Sequence, residues 1–328
     1  MHLASIVVPN YLMENKIFSE ELNREKHYVN SKYILIKKLL KESNIELNTH
    51  DLNSGKKTCF SIYLDNVNEP NDRLNYLIVR EPSIIHYKNH SKKHFNKYKK
   101  IFTYNDDLVD GIKIIKYNTQ SFDFEKINIK SKENQSGYTL ICSNKKSNKV
   151  GENYSTRYNL IDYLKNSDLK FSLYGRGWTK VAYPNRYLEA IFNRIPIFRP
   201  NLSINNYKGE VNDKRENASS YLFQFAIENS KVINGYITEK IFDAFFSNCI
   251  PIYSGTKSIS NYIPNETFIN IDDFESFDQL FEFTENLNKK NIMNYRLARD
   301  NFFKSKNIKL FDIKYNSKIL VDGILKDL

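Results

Sequence analysis

Short apolar segments alternate with helical segments along most of this chain, and that alternation limits the fold more than any other feature. In the first third, the runs SIVVP, IELNTHD, TCFSIYL, LNYLIVR, KIFTYND and IKIIKY have the composition of β-strands. The segment YILIKKLLKES between the first two has apolar residues at helical spacing. This order predicts βαβ units and a parallel sheet.

The second half repeats the pattern after residues 122–137, FDFEKINIKSKENQSG, which have little periodicity and are interpreted as a linker. The strand candidates are then TLICSN, LKFSLYG, SYLFQFAIEN, IPIYSG and TFINIDD. The helix candidates are RYNLIDYLKNS, NRYLEAIFN, TEKIFDAFFSN and one long stretch at residues 277–304. Strands that alternate with helices of about ten residues predict a mostly parallel, doubly wound sheet.

The length of 328 residues supports two domains, because single hydrophobic cores stop growing at about 250 to 300 residues. We place an N-terminal Rossmann-like domain at residues 1–130, a second domain at residues 131–305 and a helical tail at residues 306–328. The tail has an apolar side at helical spacing. It could pack on the N-terminal domain, or it could form an amphipathic contact with a membrane.

The net charge of +11 is compatible with binding to nucleic acid or to an anionic membrane surface. However, lysine is spread through the chain together with asparagine and isoleucine, as a biased base composition would produce, and we expect no nucleic-acid partner. Neither a signal-peptide pattern nor about 18 consecutive apolar residues are found. We expect a cytoplasmic protein, and a peripheral contact with the inner membrane face stays open as an alternative.

Polar residues crowd the start of one predicted helix in the segment ENSKVINGYITEKIFDAFFSNCIPIYSG, residues 228–255. Residues 219–227 are apolar enough for a buried strand, so Glu228 and Asn229 come at its carboxyl end. In open α/β sheets, ligands bind at the carboxyl ends of the strands, next to the N-termini of the following helices. The pattern therefore indicates a ligand site.

Thr238 is the expected N-cap of that helix, with Glu239 and Lys240 in its first turn. A lysine in the first turn opposes the helix dipole by about 0.3 to 1 kcal/mol, so we expect an external anion near Lys240. A ligand diphosphate would suit Lys240 and the backbone N–H groups, while Glu239 would accept sugar hydroxyls. The alternative is that both side chains are simply solvated.

The segment from Phe223 to Gly255 resembles the signature of the α1,3/4-fucosyltransferases of glycosyltransferase family ten. That signature is close to F-x-x-x-x-E-N-S, then Y-[IV]-T-E-K-[LIF]-x-[DN]-A, then [VI]-P-[VI]-x-x-G. YKGEVNDK at residues 207–214 is similar to the Y-x-G-x-x-x-x-K element of the family, and FSLYGRGW at residues 171–178 is similar to its strand ending in Y-G or G-G. In the N-terminal half only REPSII, residues 80–85, resembles the E-x-P element of the family.

The resemblance implies an α/β fold of GT-B type, in which two Rossmann-like domains face a central cleft. It implies an inverting transfer of fucose from GDP-fucose to a hydroxyl of a cell-surface glycan such as a lipopolysaccharide. The expected partners are the GDP-sugar donor and the glycan acceptor. We expect no cofactor and no metal, because protein cations would stabilise the departing GDP. The two Asp-Asp pairs at residues 106–107 and 272–273 are interpreted as turn residues.

Glu81 is the expected catalytic base, because the resemblance places a carboxylate of the N-terminal domain in that role. It follows the apolar run LNYLIV and precedes Pro82, so it would lie at the edge of a sheet, where partial desolvation could raise its pKa. The alternative is a surface glutamate that pairs with Arg80. The resemblance also implies that the nucleotide sugar is contacted by Arg157, Asn229, Tyr236, Glu239 and Lys240. The role of Glu228 stays open, because a glutamate at a strand end can equally bind backbone.

Two other functions stay open. The same scaffold could use a different nucleotide-sugar donor, because the N-terminal half carries few matching motifs. A basic, non-catalytic protein that binds polyanions is the alternative from another class.

Overall fold

The computed structural model describes residues 1–21, 30–65, 70, 74–130, 132–195 and 206–328, and it contains two parallel β-sheets. The first sheet has the order β2-β1-β3-β4-β5-β6, and the second has the order β11-β10-β9-β7-β8. The strands of the first sheet are β1 (His2–Val7), β2 (Ile45–Thr49), β3 (Phe60–Leu64), β4 (Leu74–Ile78), β5 (Lys100–Thr103) and β6 (Ile114–Lys116). Those of the second are β7 (Tyr138–Ile141), β8 (Phe171–Tyr174), β9 (Phe223–Ile227), β10 (Ile250–Ser254) and β11 (Ile269–Asn270).

The α-helices connect and cover these strands. They are α1 (Ser31–Glu42), α2 (Lys92–Phe95), α3 (Tyr154–Lys165), α4 (Arg186–Arg194), α5 (Lys214–Ala218), α6 (Glu239–Phe246), α7 (Phe277–Glu285), α8 (Lys289–Lys304) and α9 (Ile313–Leu325). Every strand predicted from the apolar runs is present, and all pairings between them are parallel. The α/β class with parallel sheets is therefore confirmed. Both Asp-Asp pairs lie in short 3-10 turns directly after strands.

The first compact unit comprises residues 1–127, 233–236 and 306–328. All five residues of β3 are buried, as expected for a strand with a helical layer on each face. Helix α1 contributes Tyr33, Ile36 and Leu40 to the core of this unit. Helix α9 packs on α1 and buries Leu320 and Ile324 in the same core. The apolar side of the tail is thus covered by protein in this unit.

The second compact unit comprises residues 128–232 and 237–305. Tyr138 lies at its centre, with its ring 5.0 Å from that of Phe223 and 5.1 Å from that of Phe281. Its hydroxyl group lies 2.7 Å from the hydroxyl of Thr284, so the buried polar atom is satisfied. The core between the sheet and its helices is therefore largely aromatic.

The long helical stretch predicted for residues 277–304 is two helices, α7 and α8. The Asn288 side chain accepts from the backbone N–H of Asn291 at 3.0 Å, and the Asn291 side chain accepts from the backbone N–H of Asn288 at 3.1 Å. This reciprocal capping starts a new helix at residue 289. Periodicity alone did not show the break, because both helices keep apolar residues on one side.

Within the described residues, none of the helices combines the length and the apolar character needed to cross a membrane.

Gly175 provides a test of the packing at the end of β8. Its φ is +126°, and a Cβ atom there would lie 2.1 Å from the carbonyl oxygen of Cys142. Gly209 also has a positive φ, +93°, but a Cβ atom there would meet nothing within 4 Å. We expect Gly175→Ala to lower the free energy of unfolding by about 3 kcal/mol, because backbone strain and a steric clash add. Gly209→Ala should cost only about 1 kcal/mol from strain. Urea denaturation measures both values, and equal losses would contradict this packing.

Candidate functional site

The connection between β9 and α6 is organised around the carboxylate of Glu228, which is 0% exposed. One carboxylate oxygen accepts from the backbone N–H of Thr238 at 2.7 Å, and the other accepts from the hydroxyl of Thr238 at 2.7 Å. The backbone N–H of Glu228 donates to the carbonyl of Ser254 at 2.8 Å, which ties the end of β9 to β10. Of the two roles left open for Glu228, the structure shows binding to backbone.

Thr238 occupies the N-cap position of α6, but its side chain does not cap the helix. The prediction that Thr238 is the N-cap residue is therefore confirmed, while its hydroxyl group donates to Glu228 and not to a group of the helix. The hydroxyl oxygen also accepts from Nζ of Lys240 at 2.9 Å, so Glu228 and Lys240 together fix the orientation of the Thr238 side chain. The first turn of α6 thus receives no side-chain cap from this residue.

Lys240 points back toward the same carboxylate. Its Nζ atom lies 3.2 Å from Oε2 of Glu228, 2.9 Å from Oγ1 of Thr238 and 3.5 Å from Oε1 of Glu239. The sequence pattern predicts an external anion beside this lysine, whereas the structure also supplies two carboxylates of the chain itself. The lysine is therefore held in place by Glu228 before any ligand binds.

The pKa values of this group keep both charges at neutral pH. Burial would lower the pKa of Lys240, but the nearby carboxylates of Glu228 and Glu239 raise it to about 12. Burial would raise the pKa of Glu239, but Lys240 and Lys214 lower it to about 2. Lys240 is therefore a cation, and Glu239 an anion, over the whole physiological pH range.

Arg157 of α3 approaches the end of β9 from the other side and is 4% exposed. One terminal nitrogen donates to the carbonyl of Ile227 at 2.6 Å and to Oδ1 of Asn229 at 2.9 Å. The Nε atom of Arg157 is buried, with no hydrogen-bond partner among the described residues. A buried guanidinium with an unused donor is costly, and an anionic ligand would satisfy it.

These side chains surround a cavity of about 180 Å³. Four cations line it, at Lys145, Arg157, Lys214 and Lys240. The carboxylates in the lining are Glu239 and Asp243. Asp243 already binds Arg215, with 3.0 Å between the carboxylate oxygen and Nε. The cavity therefore has a positive excess and favours an anion. Complete small-molecule sites measure about 300 to 1,000 Å³, so this volume suits the charged part of a larger ligand.

The structure brings together Arg157, Asn229, Glu239 and Lys240, all four of which line the cavity. Sequence reasoning missed Lys145, Lys214, Cys142 and Asp243. The signal for Lys214 was present, because this lysine begins α5 directly after an N-cap, Asp213, whose side chain accepts from two backbone N–H groups. A lysine at a helix start was the same signal that identified Lys240.

Tyr236 is not part of the cavity lining in the described residues. It lies in the first compact unit, 3% exposed, with its ring 5.0 Å from that of Tyr104. Its neighbour Gly235 explains this placement, because a Cβ atom there would lie 2.3 Å from the carbonyl oxygen of Tyr104. Residues 233–236 therefore pack as a core segment of that unit.

Glu81 also belongs to the first unit, directly after β4. Its backbone N–H donates to Oδ1 of Asp65 at 3.0 Å. The guanidinium of Arg80 donates to Oδ2 of Asp65, from Nε at 3.0 Å and from a terminal nitrogen at 2.9 Å. The sequence suggested Arg80 as a possible partner of Glu81, and the structure shows that Arg80 binds Asp65. No group of three or more metal-ligating side chains occurs in the described part of the chain.

The fold and the site define a class. The structure matches a crystal structure of an α1,3-fucosyltransferase with GDP-fucose at a TM-score of 0.58 and 16% identity, over 100% of this chain and 91% of that one. The chain has an α/β fold with two parallel sheets, and it matches such structures. This is the GT-B fold of glycosyltransferases.

The model of glycosyltransferase family 10 (fucosyltransferase), C-terminal part, matches residues 130–309, which is more than half of the 328 residues. The chain therefore belongs to glycosyltransferase family 10, and the resemblance seen in the sequence is confirmed.

Curated relatives match a shorter part of the chain. The α-(1,3)-fucosyltransferase FucT of Helicobacter pylori is 34% identical over 103 residues, which are 31% of this chain and 21% of that protein. The mouse 4-galactosyl-N-acetylglucosaminide 3-α-L-fucosyltransferase 9 is 35% identical over 85 residues, which are 25% of this chain and 23% of that protein. The chain thus covers less than a quarter of the length of either relative.

The buried role of Glu228 predicts a loss of stability on neutralisation. We expect Glu228→Gln to lower the free energy of unfolding by about 3 kcal/mol, because the amide loses one acceptor and leaves Thr238 and Lys240 poorly paired. The matched control is Glu239→Gln, whose side chain is 32% exposed and should contribute less than about 1 kcal/mol. Chemical denaturation at pH 7 compares the two variants, and similar losses would show that Glu228 does not organise this connection.

Proposed function

We propose that the chain transfers fucose from GDP-fucose to a hydroxyl of a glycan, with inversion at the anomeric carbon. The observation that carries this proposal is the cation-lined cavity at the family signature, with a buried Arg157 Nε that has no partner among the described residues. Membership of the fucosyltransferase family supports the choice of donor. The matched α1,3-fucosyltransferase was crystallised with GDP-fucose, which is the donor proposed for this chain.

The diphosphate of the donor is proposed to occupy the cavity. Arg157, Lys214 and Lys240 would stabilise the charge that develops on the leaving GDP, and they act without a metal ion in this proposal. The guanidinium of Arg157 suits a phosphate, because its buried Nε–H has no partner among the described residues and can donate to a phosphate oxygen. Glu239, which is ionised, would accept hydroxyl groups of the sugar, and Asn229 would fix Arg157 from behind.

Tyr236 carries no charge, and it immediately precedes Ile237 in the sequence. Its ring lies 5.0 Å from that of Tyr104 in the first unit. A contact between Tyr236 and the nucleotide remains our proposal from the family motif.

Glu81 is proposed as the general base. The acceptor hydroxyl oxygen would attack the anomeric carbon while its proton passes to the Glu81 carboxylate. The bond from that carbon to the β-phosphate oxygen breaks, and its electron pair leaves with GDP. One displacement of this kind inverts the anomeric configuration, and the fucose becomes α-linked.

The acceptor is proposed to be a glycan of the cell surface, such as a lipopolysaccharide, that is modified in the cytoplasm before export. The mouse relative is named for transfer to 4-galactosyl-N-acetylglucosaminide, so N-acetyllactosamine is the first acceptor to test. Contact with the inner membrane face would bring the basic enzyme close to a lipid-linked acceptor.

The direct test is transfer from radiolabelled GDP-fucose to N-acetyllactosamine, compared with a panel of other nucleotide sugars. We expect fucose transfer, and we expect Glu81→Gln to lower kcat at least about 100-fold, because the amide cannot accept the proton. Glu125→Gln is the control, since Glu125 belongs to the same unit and pairs with Lys314 at the surface.

Three results would change the proposal. Undiminished transfer by Glu81→Gln would reject this base. A preference for another donor would favour the same scaffold with a different sugar. A protein that ignores GDP in a thermal-shift titration but retains heparin in a salt-dependent way would be a polyanion-binding protein.

A further inference from the structure

Asp65 lies directly after β3, beside the residue proposed as the base. Its side chain is 2% exposed, and its backbone has a φ of +63°, which is uncommon for a residue other than glycine. The backbone N–H of Asp65 donates to the carbonyl of Ile78 at 2.9 Å, so the end of β3 is tied to the end of β4. This conformation turns the carboxylate toward the residues that follow β4.

The Asp65 carboxylate binds two successive backbone N–H groups. Oδ1 accepts from the backbone N–H of Arg80 at 2.8 Å and from that of Glu81 at 3.0 Å. The same oxygen accepts from the side-chain amide of Asn89 at 2.8 Å, while Oδ2 accepts from the Arg80 guanidinium. A buried carboxylate with this many donors is held rigidly.

The carbonyl group of Glu81 is held as well. It accepts from the side-chain amide of Asn89 at 3.2 Å and lies 3.2 Å from Nε2 of His90. Pro82 follows and restricts Glu81 to extended backbone conformations. Both polar backbone groups of Glu81 are therefore fixed by side chains.

We propose that Asp65 is a positioning residue that fixes Glu81 so that its carboxylate meets the acceptor hydroxyl. This inference rests on the proposed function, in which Glu81 takes the proton. Asp65 itself takes no proton and touches no substrate in this mechanism. The Asp65 carboxylate also forms an ion pair with Arg80, so the guanidinium has a partner in addition to Glu81.

A double-mutant cycle separates positioning from a general structural role. If Asp65 acts through Glu81, Asp65→Asn lowers kcat at least about 10-fold in the wild-type background and less than about twofold in the Glu81→Gln background. The amide keeps the size of the side chain and one acceptor oxygen for the backbone N–H groups, while it loses the ion pair with Arg80 and therefore some stability. Urea denaturation of both Asp65→Asn proteins checks this.

The matched control is Asp110→Asn. Asp110 is exposed and accepts from the backbone N–H groups of Ile112, Lys113 and Ile114 at 2.8 Å, so it also fixes a turn of the same unit, without a bond to Glu81. We expect its kcat to equal that of the wild type.

Each other outcome overturns the inference in a recognisable way. An equal loss of kcat from Asp65→Asn in both backgrounds means that Asp65 supports only the fold. Wild-type kcat in a folded Asp65→Asn variant means that it does not position Glu81. A wild-type protein that binds GDP but transfers no fucose means that the proposed function itself has failed, and this result is visible before any variant is made.

Discussion

The candidate site depends on one buried carboxylate, that of Glu228. This residue directly follows β9, in the connection that leads to α6. It binds the backbone and hydroxyl of Thr238, and it holds the ammonium group of Lys240. The family signature ends at Gly255 for a related reason. A Cβ atom there would lie 2.2 Å from the hydroxyl of Tyr253 and 2.8 Å from Cγ of Glu228. The glycine thus leaves room for the side chains of both Tyr253 and Glu228.

The side chains that line the neighbouring cavity carry more positive than negative charge. Such a cluster is unfavourable unless each cation has a partner, because burial penalises unpaired charge. Lys240 has Glu228 and Glu239, whereas the hydrogen-bond acceptors of Arg157 within the described part of the chain are the neutral oxygens of Ile227 and Asn229. The site is therefore preorganised but electrostatically incomplete, which suits the binding of a diphosphate and the stabilisation of a leaving group.

Local sequence patterns were sufficient for the strands, because buried parallel strands are continuous apolar runs and each run here has the right length. The family resemblance pointed to Arg157 and Asn229, which the structure joins by a hydrogen bond. Local patterns failed where a distant group decides the outcome. The bond from the Thr238 hydroxyl to Glu228 was not foreseen, and the break between α7 and α8 depends on the reciprocal capping of Asn288 and Asn291.

Tertiary packing explains the other differences. Tyr236 packs in the first unit because Gly235 allows close approach to Tyr104, which no local pattern reveals. Asp65 lacks any motif of its own, and its role emerges only when β3 and β4 lie side by side. Residues that act through another residue are thus harder to predict than residues at the start of a helix.

Isothermal titration calorimetry of the wild-type protein with GDP and with GMP tests the central claim most directly. The two ligands share the guanosine and differ by one phosphate group. If the cations seat the diphosphate, GDP binds at least about tenfold more tightly than GMP, a difference of about 1.4 kcal/mol, and added salt reduces this advantage. Equal affinities for the two nucleotides, or no binding of GDP, would contradict the diphosphate site.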